Sequence, residues 1–277
     1  MAKQALATKQ DIEGITTGYA LTQMDPGELR ELVEDNIGAE GLNIQDLPKI
    51  KIPAGGGVAF EVDTPEGPEP MKLVKGVIVG WHQARVYFDK PFGGSGSGEP
   101  PLCFSADGMV GRGDPFRQGQ VSTRDCRTCP LSEFGTKVDQ AGKIGRGKAC
   151  PERRVLFLMM QGDMLPHVMS VPPTSLGDMR KFFTGLVVSG TSFYGVEIEL
   201  SLTKDRNKDG TEYSKVQVRA TGKMDKPEAG FWKNVKESLA PKLLGTMSTS
   251  ADFIAGGGST GQGVEIDDTQ GDPFKEE

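Results

Sequence analysis

The sequence predicts a mainly β chain with a few helices, of the α+β class. Short apolar runs, some alternating and some continuous, recur along the chain and are separated by turn residues. The 277 residues include 38 glycines and 18 prolines, which favour turns over long helices. A hydrophobic fraction of 36% is sufficient to build a core. We therefore expect many short strands packed with a small number of helices.

The chain divides into three predicted regions. Residues 1–46 form an N-terminal arm with one short helix. Residues 47–240 form the folded domain, which carries an insertion at about 101–152. Residues 241–277 are a glycine-rich linker followed by an acidic end, and this composition is typical of disorder.

Residues 72–88 carry the strongest strand pattern in the chain. The even positions from Ile78 to Phe88 are mostly apolar, whereas Trp81, Arg85 and Tyr87 alternate to the other face. Aromatic rings interleaved with a base suit nucleobases that stack beside paired phosphates. An ordinary strand whose aromatic residues cover a second core explains the pattern equally well.

The remaining elements of the domain follow the insertion. A cap at Ser175 and apolar residues at helical spacing predict one core helix, which ends at Gly190. Asn207 and an Asp-Gly pair predict the turn of a long hairpin. The predicted elements are strands at 154–160 and 165–171, the core helix, hairpin strands at 193–203 and 211–221, and a last helix at 227–239.

One face of the hairpin repeats the aromatic and basic pattern of the Trp81 strand. Tyr213, Lys215 and Arg219 share the face opposite the predicted buried side chains. Glu197 and Glu199 point the same way and offer these cations another role, as ion-pair partners across the hairpin.

This order of elements indicates a particular architecture. Several strands followed by one core helix and a closing hairpin fit a five-stranded Greek-key barrel of the oligonucleotide-binding (OB) type. In such barrels the faces of the central strands and the connecting loops bind single strands. The predicted fold is therefore an OB-like Greek-key barrel with an insertion.

All four cysteines of the chain lie in the insertion. They are Cys103, Cys126, Cys129 and Cys150, with 22, 2 and 20 residues between successive members. A Cys-x-x-Cys turn offers two thiolates to one tetrahedral ion, and two single cysteines complete a four-thiolate zinc site. The polypeptide between them is poor in apolar residues, so a metal would replace the core that it cannot build. We expect one structural Zn²⁺.

Disulfides and redox chemistry are the alternatives for these cysteines. The N-terminus lacks an apolar secretory segment, so we expect a cytoplasmic protein in which disulfides would be reduced. A redox Cys-x-x-Cys expects a strand before it and a helix after it, and Pro130 directly after Cys129 removes that context. A catalytic zinc keeps an open position and usually recruits histidine or a carboxylate, which favours a structural role here.

The formal charge of −6 is unevenly distributed. From Asp252 onward seven acidic residues are offset only by Lys275, a net of −6, so the rest of the chain is neutral. Residues 101–154 carry ten Lys and Arg against six Asp and Glu, a net of +4. Within them, residues 142–149 resemble a phosphate-binding loop but lack its hydroxyl residue, its strand and its helix. This segment is better described as a basic loop that exposes Lys143, Arg146 and Lys148.

Several segments of the folded domain form a set with a known counterpart. They are LPKIKIPAGGG from Leu47, GVIVGWHQARVYF from Gly76, CRTCPLSEFG from Cys126, GRGKAC from Gly145, PPTSL from Pro172, and Tyr213-Ser214. Together they resemble a group of phage and prophage proteins associated with single-stranded DNA binding near replication and recombination genes. The resemblance covers about residues 47–240, and the Cys-x-x-Cys-Pro with its downstream Gly-Lys-Ala-Cys is the most specific part. It implies a zinc-containing OB-fold protein that binds single-stranded DNA.

The acidic end separately resembles the tails of bacterial single-strand-binding proteins, which recruit partners through a terminal Pro-Phe. Asp267, Asp268 and Asp272 carry the charge here, and Phe274 follows a proline. Lys-Glu-Glu after Phe274 departs from that pattern, because no free carboxylate adjoins the phenylalanine. We expect this tail to compete with DNA or to recruit replication or recombination proteins.

These observations predict a sequence-independent single-stranded DNA-binding protein of phage DNA replication or recombination. The alternative is a zinc-stabilised adaptor that binds protein and not DNA. An enzyme is not expected, because no histidine pairs with a plausible nucleophile and no carboxylate cluster suits two metals. No apolar run is long enough to span a membrane, and an oligomer is compatible with the sequence. The candidate DNA contacts are Trp81, Arg85, Tyr87, Lys143, Arg146, Lys148, Lys204, Arg206, Lys208, Tyr213, Lys215 and Arg219.

Overall fold

The computed structural model describes most of the chain between residues 18 and 245. The described residues are 18–23, 26–38, 42, 44–53, 55–88, 101–138, 142–207, 210 and 212–245. The predicted features outside them are residues 1–17 of the N-terminal arm, the linker from residue 246 onward, Lys208, and the acidic tail with Asp267, Asp268, Asp272 and Phe274. Residues 241–245 of the predicted linker are described and are helical.

Strands dominate the described residues, which confirms a mainly β chain with a few helices. The strands are β1 (Lys49–Lys51), β2 (Phe60–Thr64), β3 (Gly67–Met71), β4 (Leu73–Tyr87), β5 (Cys103–Ser105), β6 (Val110–Gly113), β7 (Ser122–Asp125), β8 (Glu152–Met159), β9 (His167–Val171), β10 (Val196–Arg206) and β11 (Glu212–Lys223). The α-helices are α1 (Pro26–Ile37), α2 (Leu176–Val188) and α3 (Lys226–Gly245).

Two of these helices begin and end close to the predicted positions. α1 starts at Pro26, and Gly38, with a φ of 98°, follows its last turn. α2 starts directly after Ser175, and Gly190, with a φ of 62°, follows it. α3 continues through Pro241 beyond its predicted end at residue 239, since a proline removes one helical hydrogen bond but has a φ compatible with a helix.

Ser175 precedes α2 but does not cap it with its side chain. Its Oγ instead accepts a hydrogen bond from the Val216 N–H of β11 at 2.9 Å. The hydroxyl that the sequence predicts as a helix cap therefore ties the helix to the hairpin.

The strands form an open mixed sheet. Its order is β3-β2-β1-β9-β8-β4-β5-β6-β7, and β10 pairs with β11 and with the start of β4. The β1–β9 pair is parallel and the other pairs are antiparallel. Among the described strands, β3, β7 and β11 each have a single partner, so the closed Greek-key barrel is not confirmed.

β4 is the central strand, and a bulge divides it. Its register with β8 shifts between Ile78 and Gly80, so the side chains exchange faces at this point. Ile78 therefore packs in the core that includes α2, whereas Ala84 packs in the core that includes α3. The prediction that the even positions from Ile78 onward share one face is wrong. Trp81 lies on the α2 side, where its ring contacts Phe183.

The two cores lie on opposite faces of the central strands. The first joins β1, β2, β4 and β8–β11 to α2. The second joins β4 and β8 to α3 and to the N-terminal segment, where Tyr19 packs edge-on against Trp232 at 5.1 Å between ring centroids. No helix in the described ranges combines the length and the apolarity that a membrane crossing requires.

Candidate metal centre and nucleic-acid surface

Short strands bring the first two cysteines together. Cys103 begins β5 and lies opposite Tyr87 at the end of β4. Cys126 follows β7, and its N–H donates to the Met109 carbonyl at 2.7 Å. A Cβ built on Gly111, in β6 between these strands, would lie 3.1 Å from Cys103 Sγ and 3.3 Å from Cys126 Sγ. Both sulfurs therefore face one point of the backbone.

The other two cysteines flank one turn. Cys129 directly precedes a 3-10 turn at Pro130–Ser132. The Cys150 N–H donates to the carbonyl of Leu131 within that turn, at 2.8 Å. Each of the other three cysteines raises the pKa of Cys150 electrostatically, which indicates that all three lie near it.

All four side chains are buried free thiols, at most 9% exposed. Burial raises the pKa of Cys103 to about 11 and that of Cys150 to about 12, and it also raises the pKa of Cys126. In the described part of the chain, no three His, Cys, Asp or Glu side chains have the spacing that would hold a metal ion. The zinc site therefore stays a prediction. Whether the thiols suit zinc depends on the charged groups around them.

Two arginines beside the thiols carry buried N–H groups without acceptors. Arg85 Nη1 and Arg124 Nε are buried, and neither has a hydrogen-bond partner among the described residues. Arg85 favours the ionised forms of Cys126 and Cys150, and Arg124 favours that of Cys103. Unmet buried donors are costly, and thiolates would accept from them. Four thiolates around one Zn²⁺ carry a net charge of −2, which two guanidinium groups would offset, so the surroundings fit this ion.

The Trp81 strand exposes fewer of its predicted DNA contacts than the sequence indicates. The Trp81 side chain is 37% exposed. Arg85 is mostly buried: its Nη2 lies 3.4 Å from Glu152 Oε2, and its Nε donates to the Gly108 carbonyl at 3.2 Å. It therefore faces the insertion and not solvent. Tyr87 is half-buried at the strand end.

The predicted cations of the hairpin are paired with carboxylates. Glu212 contacts Lys204 Nζ and Arg206 Nη2, each at 2.7 Å. The other contacts are Lys215 Nζ to Asp178 Oδ2 at 2.9 Å, Arg219 Nη2 to Glu199 Oε1 at 2.6 Å, and Tyr213 Oη donating to Asp205 Oδ2 at 3.0 Å. The Glu199–Arg219 ion pair that the sequence offers as an alternative is present. This face therefore has little unneutralised positive charge among its described residues.

The insertion places two of its cations on exposed aromatic rings, whereas its Arg127 pairs with Asp125 at 2.7 Å. Phe134 is 77% exposed, and Lys148 Nζ lies 4.6 Å from its ring centroid. Phe116 is 42% exposed, and the Arg124 guanidinium lies 4.9 Å from its centroid. Arg146 is exposed on the same loop as Lys148. An open groove of about 290 Å³ beside Arg124 is lined by Met109, Val110, Thr123, Arg124, Asp125 and Arg127.

The sequence prediction missed both phenylalanines, although a signal for them exists. Phe116 and Phe134 lie in a stretch rich in glycine and charge, which has no core to bury a ring. An aromatic residue in such a stretch is exposed by default, and a neighbouring cation makes it a candidate contact for a base.

Comparison with known proteins gives no match: neither a family model, nor a curated protein sequence, nor a solved structure is significantly similar to this chain. The resemblance to phage single-stranded DNA-binding proteins therefore stays a prediction, and the function must be argued from the site itself.

Proposed function

We propose that the protein binds single-stranded DNA without sequence preference, in phage DNA replication or recombination. One observation supports this most directly: partly exposed aromatic rings each carry a cation at the ring face. The pairs are Trp81 with Arg154, Phe116 with Arg124, and Phe134 with Lys148. Bases of any sequence stack on rings while cations neutralise the adjoining phosphates, and this is how non-specific single-strand binders work.

The charge distribution supports the insertion as the main contact surface. Residues 101–154 carry a net charge of +4 with neutral thiols, or +2 with four thiolates around one Zn²⁺, whereas the hairpin cations Lys204, Arg206 and Arg219 lie against carboxylates. Unneutralised cations attract phosphates and release counterions from the strand. The proposed binding surface therefore comprises the insertion and Trp81, with the hairpin as a secondary contact.

The proposal includes one structural Zn²⁺ held by Cys103, Cys126, Cys129 and Cys150. In the described part of the insertion, the only buried hydrophobic side chains apart from prolines are these cysteines. The segment therefore needs another source of stability, and a four-thiolate zinc supplies folding free energy directly. The zinc would keep the rings of Phe116 and Phe134 in place and would take no part in chemistry.

Partner recruitment is the proposed role of the acidic tail, which lies outside the described residues. Its net charge of −6 opposes the +4 of the insertion. The tail would compete with DNA for the insertion or, when DNA displaces it, present Phe274 to replication or recombination proteins.

A zinc-held adaptor without DNA affinity is the second candidate. It is favoured by apolar side chains that the insertion exposes, among them Val121 at 82% and Ile144. Exposed apolar residues in one small segment are typical of protein-binding surfaces.

Fluorescence anisotropy of labelled oligo-dT distinguishes the two candidates. We expect tight binding that weakens by about 0.7 log units per log unit of salt for each phosphate neutralised, a weak signal from duplex DNA, and about one zinc per chain. Absence of binding at low salt, also by a variant that lacks residues 252–277, would overturn the proposal and leave the adaptor.

A further inference from the structure

Trp81 of β4 contacts side chains of two other elements, Arg154 of β8 and Phe183 of α2. We propose that Trp81, Phe183, Arg154 and Arg180 form a site for one nucleotide of single-stranded DNA. The rings would receive the base, and the two guanidinium groups would receive its phosphate. This inference rests on the proposed function and adds to it three residues that the sequence does not single out.

The Arg154 guanidinium contacts two rings that also contact each other. Its Cζ lies 4.3 Å from the Trp81 ring centroid and 5.1 Å from that of Phe183. The two rings are themselves 5.7 Å apart at an interplanar angle of 40°. Phe182 and Phe193 pack edge-on against Phe183 at 5.8 and 6.1 Å. The aromatic wall is therefore fixed before any ligand binds, which lowers the entropy that binding must overcome.

Arg154 lacks an anionic partner in this arrangement. Its Nε is buried without a hydrogen-bond acceptor among the described residues. The nearest carboxylate interaction is with Glu152, which already contacts Arg85 at 3.4 Å and accepts from Gln83 at 3.1 Å. Burial lowers the pKa of Arg154, as does the like charge of Arg180 on α2. A phosphate bound at the exposed Arg180 would offset the like charge that Arg180 exerts on Arg154.

A nucleotide is the ligand class that satisfies both halves of the site. Trp81 keeps 37% of its surface exposed, which leaves ring area for a base, and Arg180 is exposed at the rim. The amide of Gln83, two residues after Trp81 on β4, already donates to Glu152 at 3.1 Å. Stacking together with phosphate neutralisation gives sequence-independent binding, as the proposed function requires.

Tryptophan fluorescence tests the site in the full-length protein, because its two tryptophans are opposite in exposure. Trp232 is 0% exposed in the second core, so a base can quench only Trp81. Titration with unlabelled oligo-dT should quench part of the emission, and Trp81→Phe should abolish the quenching while retaining the Trp232 signal. A parallel titration of labelled oligo-dT, followed by anisotropy, reports binding independently of Trp81.

Arg180→Ala tests the phosphate half, and Lys181→Ala is its matched control. Both remove one exposed positive charge from the same turn of α2, but Lys181 contacts Asp178 at 3.6 Å. Arg180→Ala should reduce the salt slope by about 0.7, whereas Lys181→Ala should leave it unchanged. Binding by anisotropy without Trp81 quenching, or equal slopes for the two variants, would overturn this site and leave the proposed function standing. No binding by anisotropy would overturn both.

Discussion

The β10–β11 hairpin and the insertion are both rich in Lys and Arg, but they hold these cations differently. In the hairpin, Glu212 alone contacts Lys204 and Arg206 at 2.7 Å each. In the insertion, Arg124 and Lys148 lie on the exposed faces of Phe116 and Phe134. The positive residues of a sequence therefore do not indicate where its positive potential lies. Cations on rings remain available to phosphates, whereas cations in ion pairs must first break a contact.

Removal of the proposed zinc should produce the largest difference between the insertion and the hairpin. Cys150→Ser, or a chelator, should reduce the zinc content from about one per chain to none and destabilise the insertion. Structural zinc contributes on the order of 10 kcal/mol to the folding of small sites, whereas the hairpin has its own core contacts. Hydrogen exchange should therefore speed up in β5–β7 and stay slow in β10 and β11. Protection of β5–β7 that survives removal of zinc would contradict the metal centre.

Proton release provides a second test of the same centre. Burial raises the pKa of Cys103 to about 11 and that of Cys150 to about 12, so the metal-free thiols stay protonated well above neutral pH. Unfolded thiols ionise near about 8.5. The metal-free protein should therefore lose stability as pH rises from about 8 to 10, because only its unfolded state releases these protons.

Zinc binding should release these protons, about one from each of the two thiols even at pH 9. Calorimetric zinc titration in buffers of different ionisation enthalpy measures this number. Zinc binding without proton release at pH 9 would mean that these thiols are not ligands.

Phe134→Ala tests the ring contacts on the insertion. Stacking of a base on an aromatic side chain is worth about 1–3 kcal/mol, so the affinity for oligo-dT should fall by roughly 5- to 150-fold. Phe134 is 77% exposed, so the fold should tolerate the change. Val121→Ala is the matched control, because Val121 is 82% exposed in the same segment and has no ring. Equal affinities for the two variants would mean that no base stacks on Phe134.

Local patterns in the sequence predicted the elements better than the contacts between them. The caps at Pro26 and Gly38 and the start of α2 depend on neighbouring residues, and the structure has these helices there. The Glu199–Arg219 pair follows from hairpin register, which places these residues opposite each other. Lys215 pairs with Asp178 because α2 docks beside β11, and no local pattern contains that information.

Part of the predicted DNA-binding surface on β4 differs from the structure, because local sequence patterns do not contain the contacts between elements. Alternation along β4 assumes a regular strand, but the shift between Ile78 and Gly80 exchanges its faces. Arg85 was predicted to contact DNA because nothing in the sequence shows that the insertion packs over it. Its acceptor at Gly108 lies in that insertion. The four-cysteine zinc site stays a prediction, because no three of the described His, Cys, Asp or Glu side chains have the spacing that would hold a metal ion.

A smaller effect on the salt dependence of DNA binding should distinguish Arg146, which has no carboxylate partner among the described residues, from Arg206, which has one. Arg146 is exposed on the insertion loop, and Arg206 contacts Glu212. Arg146→Ala should reduce the salt slope of binding by about 0.7, the value for one phosphate contact on a single strand. Arg206→Ala should change it less, because that cation already has a carboxylate partner. The reverse order in anisotropy titrations would place the main DNA surface on the hairpin.

The smallest expected change is a gain of affinity. Glu212→Gln removes the carboxylate that Lys204 and Arg206 share, and Glu212 is a surface residue whose ion pairs contribute little to stability. Because Lys204 and Arg206 are then free to contact phosphates, the variant should bind oligo-dT a few fold more tightly at low salt. Its salt slope should steepen by up to about 1.4. Glu61→Gln is the control: it also removes one carboxylate, but it lies outside the proposed surface and leaves Lys51 of β1 in contact with Asp63 at 3.4 Å, so it should change neither quantity. If both variants gain equally, the effect is one of net charge; if only Glu212→Gln gains, the hairpin is a latent extension of the surface on the insertion.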